Sequence, residues 1–162
     1  MKFNWKYLLL FLILFGALGF FRENFFVGYN HLMYIKYYGE QPVTKIDAYI
    51  ENFKDIPYKT LYYLKYPFTL LSVFLFGLLS ALSIKFIIRE KKLVRWVIYS
   101  YLILLTLAGL SMLFGILINK RLQDDEYTLS RWLLGIAQSP IITIVFLASY
   151  KLITQQTKTQ SE

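Results

Sequence analysis

Few residues in this chain are of types that do chemistry, and their spacing narrows the options. His31 is the single histidine, so a metal site would need carboxylates to complete it. No His-Glu-x-x-His arrangement places a second ligand one helical turn away. A plain interfacial histidine accounts for it. Asp124, Asp125 and Glu126 could offer oxygens to a divalent cation, but the stretch lacks the spaced ligands and glycine of a calcium loop. Its simpler role is to supply counterions for Lys120, Arg121 and Arg131. There is no Gly-rich phosphate loop, no Gly-x-Ser-x-Gly elbow and no paired intramembrane carboxylate. With no cysteine, thiolate catalysis and thiolate-held clusters are excluded as well. The chain reads as non-catalytic, and neither a cofactor nor a metal is expected.

Two polar features stand out against the apolar background. In Gln138-Ser139-Pro140, Pro140 has no N–H to give the Ile136 carbonyl, and Gln138 brings an amide that is costly in hydrocarbon without a partner. These groups should face protein. Either they form a cleft or docking face for a lipid headgroup or a partner, or Gln138 simply hydrogen-bonds a neighbouring helix, which is worth about 1 kcal/mol. The second feature is a set of cations, Arg22, Lys65, Lys120, Arg121 and Arg131, at the outer ends of apolar runs. They could contact phosphate headgroups, a polyprenyl-phosphate lipid or acidic groups on a partner, with Glu23, Asp124, Asp125 and Glu126 close enough to neutralise them. The candidate contact residues are therefore Arg22, Arg131, Gln138, Ser139 and Pro140.

The elements that must position these residues are membrane helices. The 162 residues are 57% hydrophobic and 19% aromatic, and the mean hydropathy of +0.45 exceeds what a soluble domain can keep from water. The 14 Tyr, 14 Phe and 3 Trp suit headgroup depth, where a ring buries its body and keeps its polar edge wet. The net charge of +8 does not imply nucleic acid, because the Lys and Arg border apolar runs instead of clustering on a polar face.

Four windows approach or exceed bilayer length: Trp5–Phe21, Thr69–Ile88, Trp96–Ile118 and Trp132–Ile153. The first, after Lys2 and Lys6, also has signal-peptide features, with Ala17-Leu18-Gly19 as a small-x-small site. Phe20 and Phe21 carry the apolar run past that site and favour an uncleaved anchor. Lys85, Arg89, Lys91, Lys92 and Arg95 crowd the second connection against the single acid Glu90, which puts that hairpin inside and both termini with it. Gly77/Ala81, Ser111/Gly115 and Gly135/Ser139 are small-xxx-small pairs that permit close helix approach. The expected fold is an all-α integral membrane protein of four transmembrane helices, N-in and C-in. It forms one domain over residues 1–153, followed by a polar, disordered cytoplasmic tail at 154–162.

The outer loop, 22–66, is too small and too aromatic for a separate enzyme domain. Thr44-x-x-Asp47 resembles a capping box, and Ile46, Tyr49, Ile50 and Phe53 recur at helical spacing, which predicts a short amphipathic helix on the outer leaflet. Pro57 should stop it and Pro67 restart the chain into the second span. Tyr58, Tyr62, Tyr63 and Tyr66 suggest a further interfacial stretch between the two prolines.

The order of features resembles the small exosortase F system-associated membrane proteins of Bacteroidota. The matching residues are Arg22-Glu23-Asn24-Phe25-Phe26, Lys65-Tyr66 leading to Leu70-Leu71-Ser72, and Arg131 followed by Gln138-Ser139-Pro140-Ile141. Lys outnumbers Arg 13 to 5, which suits such genomes. The resemblance implies an accessory to a membrane-embedded sorting peptidase, with no established activity and no catalytic residues to carry over.

The preferred expectation is a multi-pass accessory subunit in a bacterial inner membrane. Its partners would be the lipid bilayer and another integral membrane protein or a second copy, and not nucleic acid. The alternative is a small homo-oligomeric transporter or lipid-handling protein. The absence of intramembrane acids argues against ion coupling but not against facilitated passage. A membrane enzyme ranks third, since its groups would have to come from the loop carboxylates and His31.

Overall fold

The computed structural model describes residues 4–39, 50–119 and 128–159. These are helical almost throughout. Helix α1 is Trp5–Tyr38, α2 Tyr58–Ile87, α3 Lys91–Asn119, α4 Thr128–Ala137 and α5 Ile141–Thr159, with a single 3-10 turn at Glu51–Phe53. Helices α1 and α2 and the Lys91–Phe114 part of α3 are long and apolar enough to cross a membrane. The pair α4 and α5 adds a fourth span if the two are counted as one bent element. The protein is thus an all-α, multi-pass membrane protein. Most of the expected amphipathic helix, the Asp124–Glu126 run, Lys120, Arg121 and the last three residues lie outside the described residues.

Three sequence expectations are corrected. Helix α1 does not end near Phe21 but continues through Arg22-Glu23-Asn24 to Tyr38. Pro67 lies inside α2 and does not begin it. Losing one N–H costs that helix a single bond to the Tyr63 carbonyl, while side chains on both sides of Pro67 are held by packing. The polar residues after Ile153 are helical as far as Thr159, because Gln and Lys are good helix formers and no Gly or Pro interrupts them.

The chain divides into two compact units, residues 16–72 and residues 1–15 with 73–162. In the latter, Asn4 joins the first helix to the end of the second. Its carbonyl accepts the Leu8 N–H at 3.3 Å, and its own N–H donates to the Ile87 carbonyl at 3.3 Å. From there α1 and α2 run antiparallel, with ring pairs Tyr7–Phe86 at 5.5 Å, Phe11–Phe86 at 6.2 Å and Phe15–Phe76 at 6.1 Å. The chain reverses after Ile87, where the N–H groups of Ile88 and Arg89 both donate to the Ile84 carbonyl, at 3.0 and 3.3 Å. Arg89 takes a left-handed conformation, φ 63°. Glu90 then starts α3, its carbonyl accepting the Val94 N–H at 3.4 Å. Both α4 and α5 pack on α3.

The other unit has an aromatic core. Tyr29, Leu32, Met33, Ile50 and Leu61 are buried, with Phe25, Phe53, Ile56 and Phe68 packed around them. Phe25, Tyr29, Phe53 and Phe68 meet one another mostly edge to face, with centroids 5.1 to 6.2 Å apart. Such offsets set the positive edge of one ring against the negative face of the next and add about 0.5–1.5 kcal/mol per pair to simple burial. The 3-10 turn supplies Phe53 to this cluster. Pro57 begins α2, its carbonyl accepting the Leu61 N–H at 3.1 Å.

Candidate functional site

The Gln138–Pro140 segment is a complete break between α4 and α5, which meet at 61°. A regular helix would leave the Ile136 carbonyl facing the proline ring with nothing to accept. Here Ser139 serves it twice, through its backbone N–H at 3.2 Å and its hydroxyl at 2.7 Å. The same hydroxyl oxygen lies 3.4 Å from the Ile141 N–H, at the open start of α5. The Pro140 carbonyl then accepts the Ile144 N–H at 3.0 Å and begins the new helix. Serine in this place makes the break affordable in hydrocarbon, since it satisfies the backbone groups the proline leaves over.

Gln138 is buried, with 6% of its surface exposed, and Ser139 and Pro140 are half-buried. These side chains face protein, as their cost in lipid requires. In the first turn of α5, Thr143 is 3% exposed, and its hydroxyl has no hydrogen-bond partner among the described residues. An unpaired buried hydroxyl costs about 1–3 kcal/mol. Arg131 is exposed in the first turns of α4.

Arg22 belongs to the other unit. Its guanidinium pairs with the Glu23 carboxylate at 3.0 Å and lies 5.6 Å from the centre of the Phe26 ring. The neutralisation anticipated from sequence is therefore present at Glu23, and solvent exposure on both sides makes that pair a weak one. His31 is exposed on α1. Among the described residues, no three His, Asp or Glu side chains are grouped so that they could hold a metal ion.

Two arrangements escaped sequence reading. In the first, Gly77 and Ser80 of α2 receive Tyr101 of α3. A Cβ at Gly77 would stand 3.3 Å from the Tyr101 ring, and the Ser80 and Tyr101 hydroxyls are 2.9 Å apart and buried. The small residue at Gly77 had marked a close approach; what fills the gap is a tyrosine. In the second, a continuous row of tyrosines runs through unit 16–72: Tyr34 against Tyr38, Tyr38 against Tyr37, Tyr37 against Tyr58, Tyr58 against Tyr62, and Tyr62 against Tyr63 and Tyr66. The hydroxyl of Tyr66 donates to that of Tyr62 at 3.2 Å. The sequence shows two tyrosine clusters, and only folding joins them.

Comparison of the chain with protein-family models, curated proteins and solved structures finds no match. The class is that of an all-α multi-pass membrane protein, and function has to be argued from the geometry.

Proposed function

We propose that this chain is a non-catalytic accessory subunit of a membrane system, which docks another integral membrane protein through the tyrosine row of its 16–72 unit. The observation that carries this reading is the joining of Tyr34, Tyr37, Tyr38, Tyr58, Tyr62 and Tyr66 into one row beside a packed aromatic core. Helix α1 has 34 residues, roughly 50 Å at about 1.5 Å per residue, against a hydrocarbon thickness of about 30 Å. Its apolar stretch ends at Arg22, so the tyrosines fall beyond the hydrocarbon. Tyrosine ordered in advance loses little entropy on binding and offers both an apolar face and a hydroxyl, which is why it recurs at the energetic centres of interfaces. The resemblance in Arg22–Phe26, Lys65-Tyr66 and Arg131 with Gln138–Ile141 points to an exosortase-type sorting peptidase as the system served, in a bacterial inner membrane with both termini inside.

The test is recovery of tagged full-length protein in native nanodiscs cut from cells without detergent. A second integral membrane protein should co-purify, and Tyr37→Ala with Tyr62→Ala should release it while α-helical content is kept. Recovery of self-associated chains alone, from wild type and variant alike, would reject the reading. It would favour the second one, a small homo-oligomeric transporter or lipid-handling protein. What supports that alternative is the broken α4–α5 element, since discontinuous helices are where transporters expose backbone groups to a substrate.

A further inference from the structure

Three stretches far apart in sequence meet at one end of the unit formed by residues 1–15 and 73–162. Asn4 is hydrogen-bonded to Ile87, the Tyr7 ring lies tilted against Phe86 at 5.5 Å, and the ammonium of Lys151, on α5, lies 5.3 Å from the centre of the Trp5 ring. The start of α1, the reversal between α2 and α3, and α5 at Lys151 therefore share one end. Around it Lys6, Lys85, Arg89, Lys91, Lys92 and Arg95 are all exposed, and the nearest acid in sequence, Glu90, is half-buried and forms no ion pair with them.

Arg89 closes the C-terminal end of α2 in a left-handed conformation, φ 63°, where glycine would be free of strain, and its side chain is exposed. Depth is set by tryptophan: Trp5 and Trp96 are 61% and 55% exposed at this end, and an exposed indole on a membrane helix belongs at the headgroup layer.

We propose that this end is a binding site for the phosphate headgroup of an anionic phospholipid. Six exposed cations facing a layer of phosphates form complementary charge, and the tryptophans hold them at the depth where lipid phosphate, not soluble anion, is most concentrated. The site is distinct from the tyrosine row and does not depend on which partner that row engages.

The experiment reconstitutes the full chain in vesicles of phosphatidylcholine alone and of four parts phosphatidylcholine to one part phosphatidylglycerol. Spin-labelled forms of each lipid are added, and the motionally restricted fraction is measured for each. Labelled phosphatidylglycerol should be selected over labelled phosphatidylcholine by about threefold or more at low salt, and the preference should shrink in high salt. Lys91→Gln with Lys92→Gln and Arg95→Gln should abolish most of it, whereas Lys54→Gln with Lys59→Gln, in the other unit, should leave it intact. Arg89→Gly should weaken the selectivity while raising resistance to unfolding, a pair of opposite changes that a merely structural role would not give. Equal retention of the two lipids by wild-type protein would overturn the proposal, as would equal losses from the two sets of glutamine variants. An excess of inorganic phosphate should displace little labelled lipid; full displacement would assign the site to soluble phosphate and reject the lipid.

Discussion

The hydroxyl of Tyr29 donates to the backbone carbonyl of Leu61 at 2.7 Å, and both residues are fully buried. The bond ties α1 to α2 and carries the side chain of one helix to the main chain of the other. The carbonyl also faces the amide of the next turn of its own helix, so it does not depend on the tyrosine. Tyr29→Phe should therefore lower the resistance of the 16–72 unit to unfolding by only about 0.5–1.5 kcal/mol. Tyr29→Ala, which opens the aromatic core, should cost about 3–5 kcal/mol. Limited proteolysis across residues 39–57 would measure both, and equal rates for the two variants would disprove the role given to the ring.

Ser80 and Tyr101 make the corresponding link between α2 and α3, in apolar surroundings. A double-mutant cycle with Ser80→Ala and Tyr101→Phe, followed by unfolding in mixed micelles, should give a coupling of about 0.6–1.7 kcal/mol. Gly77→Leu should be worse than either single change, because its side chain would occupy the place of the tyrosine ring, only 3.3 Å from a Cβ at Gly77. A coupling of zero would mean that the two hydroxyls do not bond in the membrane.

Pro140 sets the break between α4 and α5 by withholding an N–H that Ser139 then replaces at the Ile136 carbonyl. Pro140→Ala restores a donor in the regular position, so the 61° bend should decrease. Spin labels at the exposed positions Trp132 and Ile153 would report a longer and narrower distance distribution. An unchanged distance would place the cause of the bend in packing against α3.

The contacts of Asn4 with Ile87 and of Lys151 with Trp5 make the start of α1, the Lys151 part of α5 and the basic reversal neighbours. The natural sequence has no cysteine, so single cysteines label without background. Lys6→Cys, Glu90→Cys and Gln156→Cys should react with an impermeant maleimide from the same side of the membrane. Labelling of Lys6→Cys and Glu90→Cys from opposite sides would contradict the α1–α2 pairing.

Much of this molecule is legible without coordinates. Lipid as solvent forces backbone groups to bond within each segment, so long runs such as Thr69–Ile88 have to be helices. The disruption at Gln138-Ser139-Pro140 follows from the missing proton of proline, and its burial from the cost of an amide in hydrocarbon. The ends of helices were less legible. Arg22-Glu23-Asn24 looks like an exit from helix, and Pro67 looks like a start, because local propensity takes no account of side chains arriving from elsewhere. Phe53 and Tyr29 pack on Phe68, and Tyr29 bonds to Leu61; these contacts keep α1 and α2 helical through the polar and proline positions.

The sequence alone determined the membrane class, the helical state of the long apolar runs and the polar disruption at Gln138-Ser139-Pro140, since each follows from one segment meeting one solvent. Tertiary structure decided which residues meet: Tyr101 with Gly77 and Ser80, Tyr37 with Tyr58, and Lys151 with Trp5. Such pairings depend on the rotation and register of whole helices. Those are chosen by the sum of many small contacts along the helix, so no single segment carries the information.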